Sequence, residues 1–174
     1  MSVPEEEPRW LTEPEQRTWR SFLTANRLVF DQVERQLQQE AGLPHAYFEI
    51  LVRLSEAPGR AMRMSELAST SLSSRSRLSH AVARMEEAGW VRRKPCESDR
   101  RGQIAELTPE GLAQLEGAVP SHVEEVRSLL FDALTEAQRE ALLEISDAII
   151  DHITDGDPPW PVVPDGADRP GQPA

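Results

Sequence analysis

Only one stretch of this chain reads as β-structure, and it is bracketed by a helix stop and a helix start. "WVRRKP" and "QIAELT" are short strand-like runs joined by "CESDRRG", so residues 90–108 predict a hairpin with a long tip. Gly89 suits the left-handed position that follows a helix, while Thr108 and Pro109 form a strong helix opening. A lone hairpin is too small to stand by itself. The remaining apolar patterns repeat at helical spacing. The expected fold class is therefore mainly α (α+β).

"EPEQRTWRSFLTANRLVFDQVERQLQQEAGL" carries Trp19, Phe22, Leu23, Leu28, Val33 and Leu37 on one side of a long helix ended by Gly42 and Pro44. "PHAYFEILVRLSEAP" is a shorter helix with Tyr47, Ile50, Leu51 and Leu54 as its apolar set, stopped at "APGR". "MSELAST" is a third, with Ser65 as its cap, and "SSRSRLSHAVARMEEAG" a fourth, opened by serines that satisfy free amides. After the hairpin, "TPEGLAQLEGAVPSHVEEVRSLLFDAL" predicts one long helix that Pro120 should kink or deprive of a backbone bond. "TEAQREALLEISDAIIDHI" opens on Thr135, and the Pro- and Gly-rich end is expected to be disordered.

A helix-turn-helix followed by a hairpin is a winged helix. The expected organisation is an N-terminal extension (1–14), a first dimerisation helix (15–43) and a winged helix-turn-helix lobe (44–108). C-terminal dimerisation helices (109–154) and a tail (155–174) complete it. The outer helices are too apolar along one side to stand alone, and a two-fold homodimer would cover them.

Charge points to a partner. The chain carries −11 overall, yet residues 60–101 hold ten Lys/Arg against five acids, a net +5 inside a molecule that is otherwise −16. A local basic window on an acidic body fits one oriented face for a polyanion, although a solvated basic face would look the same. No stretch is apolar enough for a membrane helix, and the acidic, Pro-containing start is unlike a secretory signal, so a cytoplasmic location is expected. One cysteine, Cys96, and four scattered histidines offer no metal cluster. Nucleotide-loop, hydrolase-elbow and zinc-protease motifs are missing, so neither an enzyme nor a cofactor is expected.

At 100° per residue, Leu78, Ala81, Val82 and Met85 form the inner stripe of the fourth helix. Ser73, Ser76, Arg77, His80 and Arg84 face outward, with Ser74, Arg75 and Ser79 at the start and flanks. Such a short, polar, basic face suits the major groove of double-stranded DNA, where Arg bonds guanine and Ser bonds bases or phosphates. The hairpin would then reach the neighbouring minor groove. There Arg100 or Arg101 fits the narrow electronegative slot, Gly102 allows a close turn, Asp99 can hold one guanidinium, and Arg92, Arg93 and Lys94 add charge. Arg101 is the favoured groove residue.

"DRRGQIAELTPEGLAQL" resembles the wing signature of the MarR family of bacterial transcriptional regulators: Asp-x-Arg, a short strand, then Leu-Thr-x-x-Gly. "MSELASTSLSSRSRLSHAVARMEEAGWVRR" is similar to that family's recognition segment, and the likeness spans about residues 15–153. The resemblance places the family's Asp on Asp99 and its Arg on Arg101. It implies an obligate homodimer on a near-palindromic operator, typically a repressor released by a small aromatic or phenolic effector. Trp19, Arg20, Phe22, His45 and Tyr47 lie on the helices that would line the effector pocket. The peroxide-sensing subgroup carries a reactive cysteine early in the first long helix, and this chain has none there. The alternatives are a redox-responsive regulator using Cys96 and a winged helix that docks an acidic protein partner.

Overall fold

The computed structural model describes residues 8–70, 75–96 and 99–156; the side chains of Thr70, Arg75, Arg100 and Arg101 also lie outside that description. The expected tail beyond Gly156 therefore falls outside the described residues. Helix α1 spans Glu13–Ala41. Its start is closed by Glu15, whose carboxylate accepts the Thr12 N–H at 2.7 Å, and its end by Gly42 in the left-handed region at φ 61°. α2 covers His45–Glu56, and a tight turn at Pro58–Arg60 leads into strand β1, Ala61–Arg63. α3 is Met64–Thr70 and α4 is Arg75–Glu87. β2 (Val91–Cys96) and β3 (Asp99–Leu107) form the hairpin.

The three described strands form an antiparallel sheet in the order β1-β3-β2, so β2 is an edge. β1 escapes a reading from sequence because three residues show no period. It is a strand only through its pairing with β3, Ala61 opposite Glu106 and Arg63 opposite Ile104.

α5 covers Pro109–Val126, capped by the Thr108 hydroxyl, which accepts the Gly111 N–H at 3.0 Å. It runs through Pro120, whose missing N–H leaves the Glu116 carbonyl without its usual donor. The long helix expected to continue to Leu134 instead widens at Arg127–Phe131 into a π-helical turn, closed by the Asp132 N–H donating to the Arg127 carbonyl at 2.8 Å. α6 spans Glu136–Thr154 and opens on a capping box between Thr135 and Gln138.

The core lies where the helices of the lobe meet the sheet. Leu51 and Leu54 of α2, Leu67 of α3, Leu78, Val82 and Met85 of α4, Val91 of β2 and Leu107 of β3 are all buried there. The C-terminal half of α1 joins through Val33 and Leu37, and α5 through Leu115 and Ala118. Two side chains tie α1 to α5: Gln36 Nε2 donates to Ser121 Oγ at 3.0 Å, and Gln114 Nε2 to the Ala41 carbonyl at 2.9 Å. The packing of Val33, Leu37, Leu115 and Ala118 into the core fixes the winged lobe to the long helices.

The N-terminal half of α1 and all of α6 behave differently. Trp19, Phe22, Leu23 and Leu28 on α1 and Leu142, Leu143, Ile145, Ile149 and Ile153 on α6 stand exposed. Among the described residues none of α6 is buried. A 19-residue helix with such an apolar face, left uncovered by the described residues, is unusual for a lone protomer.

Candidate nucleic-acid interface

The periodicity of α4 resolves into two faces. Leu78, Val82 and Met85 are buried against the lobe, and Ala81 is half-buried beside them. Ser76, Arg77, Ser79, His80 and Arg84 are exposed. Arg84 is held along the helix by Glu87, Nη1 to Oε2 at 2.9 Å. A cleft of about 790 Å³ runs between α2 and α4, with Tyr47 on one wall and Arg77, His80 and Arg84 on the other. Ser73 and Ser74 lie outside the described residues, as does the side chain of Arg75, whose backbone opens α4.

The wing is built on a fixed register. Val91 pairs with Leu107, Arg92 with Glu106, Arg93 with Ala105 and Lys94 with Ile104, with an irregularity between Pro95 and Cys96. Alternation along β2 sends Arg92 and Lys94 to one face, where both reach Glu106. Arg92 approaches its Oε2 at 2.9 Å, and the Lys94 ammonium, followed by the Arg92 guanidinium, holds that carboxyl below the usual carboxylate range. Both cations stay largely exposed.

Arg93 points to the opposite face. Its Nε donates to Glu86 Oε2 at 2.7 Å and its backbone N–H to Glu86 Oε1 at 3.1 Å. The Arg93 side chain and then its amide hold the Glu86 carboxyl below its ordinary range. Of the three cations on β2, Arg93 is bonded to Glu86 of α4, whereas Arg92 and Lys94 are bonded to Glu106 of β3. Sequence reasoning missed both carboxylates; the 7- and 14-residue separations become contacts only once the hairpin register exists.

Near the tip, Asp99 pairs opposite Cys96 and its Oδ2 sits over Gly102. A Cβ at Gly102 would lie 3.1 Å from the Cys96 Cβ and 3.2 Å from Asp99 Oδ2, so glycine provides the close approach there. The backbones of Arg100 and Arg101 belong to β3, and their side chains are outside the described residues. Cys96 is 6% exposed. Arg92, Arg93 and Lys94, which would activate its thiol, are committed to Glu106 and Glu86.

The base of the wing is bolted to α5. The Thr108 N–H donates to the Trp90 carbonyl at 3.0 Å, and the Thr108 hydroxyl donates to the Gly89 carbonyl at 2.7 Å. Gly89 adopts the expected left-handed conformation at φ 80°.

The five residues expected from sequence to line an effector pocket fall into separate places within one protomer. Trp19 and Phe22 stack on each other with ring centroids 6.2 Å apart, and Arg20 reaches Gln16 at 3.4 Å, all on the exposed half of α1. His45 opens α2, its backbone N–H donating to Glu34 Oε2 at 3.0 Å, while Tyr47 lines the α2–α4 cleft. The α1 ring at His45 is Phe30, at 5.8 Å, eight residues and about 12 Å along the helix from Phe22. Around His45 the structure gathers Phe48 and His122, which sequence reasoning missed. His122 lies 6.4 Å from the His45 ring and 4.3 Å from the Phe48 ring. Its buried Nδ1 has no hydrogen-bond partner among the described residues, and burial, then the His45 charge, lowers its pKa. An apolar pocket of about 340 Å³ adjoins it, lined by Val123, Val126, Arg127 and Phe131.

Among the described residues no group of three or more His, Cys, Asp or Glu could hold a metal ion, and no helix is long and apolar enough to cross a membrane.

The sequence pattern of the MarR family matches residues 41–102. The HTH-type transcriptional regulator PecS of Dickeya dadantii is 39% identical over 85 residues, 48% of this chain and 51% of that protein, so the match spans about half the length of that curated relative. The crystal structure of Sco3205, a MarR family transcriptional regulator from Streptomyces coelicolor solved in complex with DNA, is similar at 49% identity. The alignment covers 90% of this chain and 99% of that one, with a TM-score of 0.81. AbsC, another MarR family regulator of that organism, is 45% identical over 85% of this chain and 99% of its own, with a TM-score of 0.79.

Proposed function

Because the chain belongs to the MarR family of transcriptional regulators, we propose that it binds double-stranded DNA sequence-specifically, as a homodimer on a near-palindromic operator. The observation that carries this reading is the outward face of α4. Ser76, Arg77, His80 and Arg84 are exposed there, polar and unobstructed by bulky apolar groups, within the basic window of an acidic chain. That face enters the major groove together with Ser73, Ser74 and Arg75, and free amides at the helix start favour a phosphate. Arg100 and Arg101 divide the work between the adjacent minor groove, phosphate and Asp99, which holds one guanidinium, with Arg101 at the groove, and the exposed Arg92 and Lys94 lend charge toward phosphates. The DNA complex of Sco3205, 49% identical, supports the assignment.

The lobe of residues 44–108 reads DNA, and residues 15–43 and 109–154 join two protomers. The bare apolar sides of α1 and α6 support that division. The regulator acts as a repressor released by a small aromatic or phenolic effector held between the dimer helices and the lobe. Trp19, Arg20 and Phe22 would reach such a site from the exposed half of α1, and His45 and Tyr47 from α2. The polar face of α4 gives no foothold to an apolar protein partner.

The test is selection from a pool of random duplexes about 30 base pairs long, followed by sequencing of the bound fraction. Enrichment of an inverted repeat with half-sites about one helical turn apart is the expected result. Recovery of unenriched DNA, bound weakly and only at low salt, would refute it and favour an acidic protein partner.

A further inference from the structure

The recognition helix and the wing are joined by a three-residue turn, and the wing is a long lever. β2 has six residues, about 20 Å of strand, so a swing of roughly 10° at its base would move the tip by about 3.5 Å. That exceeds the tolerance of a hydrogen bond. The anchors at Gly89, Trp90 and Thr108 hold the very base of the lever. Farther along, β2 is the sheet edge, where outward N–H groups have no strand to bond.

One of those amides is satisfied from outside the sheet. Glu86, on the last turn of α4, accepts the Arg93 N–H on Oε1 at 3.1 Å and the Arg93 guanidinium on Oε2 at 2.7 Å. Both carboxylate oxygens are used, on backbone and side chain of a single residue. The pair is partly shielded, with the Arg93 side chain 29% and the Glu86 side chain 36% exposed. Arg92 and Lys94 instead share Glu106 within the hairpin, on β3 rather than on α4.

We propose that Glu86 and Arg93 are a positioning pair that fixes the angle of the wing on the recognition helix, so that α4 in the major groove and the wing tip in the minor groove engage DNA as one unit. The inference rests on the DNA-binding reading above. It gives an acid within the basic window a purpose that charge alone opposes. Electrostatics alone would have the removal of Glu86 tighten DNA binding, whereas the positioning role makes its removal weaken operator binding.

The opposed signs make the test. The full chain and its Glu86→Ala, Glu86→Gln, Arg101→Ala and Glu86→Ala/Arg101→Ala variants are titrated by fluorescence anisotropy. The probes are the duplex enriched from the random pool, the same duplex with its A/T-rich flanks replaced by G·C, and a shuffled duplex. Glu86→Ala is expected to weaken binding to the enriched duplex about tenfold and to lose most of the flank preference, while binding the shuffled duplex as tightly as wild type or more so. Glu86→Gln keeps an acceptor for the Arg93 N–H and falls between. The double variant is no weaker than Arg101→Ala alone, because the groove contact that the pair positions is already lost. All titrations are run below the unfolding midpoint of each variant, and Glu86→Gln, nearly isosteric, carries the conclusion if Glu86→Ala is unstable. Unchanged or tighter operator binding with the flank preference intact would overturn the pair's role. A wild type that fails to distinguish the enriched from the shuffled duplex would overturn the DNA-binding reading, and this inference with it.

Discussion

A Cβ on Gly111 would stand 2.1 Å from the carbonyl oxygen of Trp90, so the first turn of α5 rests directly on the residue that opens the wing. The Leu-Thr-x-x-Gly run is thereby explained residue by residue. Leu107 is buried in the core, Thr108 caps α5 while bonding the Gly89 and Trp90 backbone, and Gly111 provides the closeness that lets the helix seat.

Gly111→Ala should therefore destabilise the protein by about 1–3 kcal/mol or more, because the obstructing atoms are backbone and cannot turn aside. Gly117, in the same helix, has nothing within 4 Å of its would-be Cβ. Gly117→Ala should stabilise by about 0.5–1 kcal/mol through helix propensity. Urea unfolding of both variants checks the contrast, and equal shifts in midpoint would contradict the packing described.

If two protomers pair through α6 as proposed, Leu143→Glu and Ile149→Glu should each leave a monomer. Each places a charge on the uncovered side of α6 and removes about 2 kcal/mol of apolar burial per protomer in the assembly. Light scattering on the eluting protein reads the mass directly. A monomeric wild type, or variants that remain dimeric, would show that some other surface covers α6.

Stability should fall as the pH drops from about 7 toward 5, with His122 contributing. Its pKa is lowered in the folded state, so the unfolded chain binds the proton first. The His122 contribution is complete above the unfolded value, about 6.5, and is lost as pH falls from there through the folded value. His45 from α2, with Glu34 of α1 bonded to the His45 amide, shares that neighbourhood, so only the difference between proteins counts. His122→Phe should show a shallower loss of urea midpoint over this range. Identical slopes would remove His122 as a source.

Arg77→Ala should relax base preference at one position in each half-site, at about 1–3 kcal/mol. Arg101→Ala should weaken most the operators with A/T-rich flanks. Selection repeated with each variant reads both effects. Equal losses on specific and random DNA would contradict the separate roles given to helix and wing.

What the sequence makes legible here is whatever depends on near neighbours. Gly42 and Gly89 end helices and Thr108 and Thr135 open them as their types require, and the 3.6-residue period of Leu78, Val82 and Met85 marks the buried face of α4. Contacts set by register stay hidden. β1 exists through Ile104–Glu106, and Arg93 is drawn to Glu86 through the turn at Gly89. A run of Arg-Arg-Lys reads simply as positive charge, yet strand alternation splits it between two carboxylates on opposite faces. The aromatic group around His45 depends on how α5 crosses α2, which brings His122 to Phe48 across 74 residues of sequence.

In the proposed assembly one dimer reads one operator through two winged helices. Its most direct test is a titration of the enriched duplex and its shuffled counterpart at matched salt, with the stoichiometry fixed at high protein concentration. Two protomers per duplex and a preference for the enriched sequence of about 10³-fold or more are expected, with affinity falling steeply as salt rises. Equal affinity for the two duplexes, or saturation by a single protomer, would contradict it.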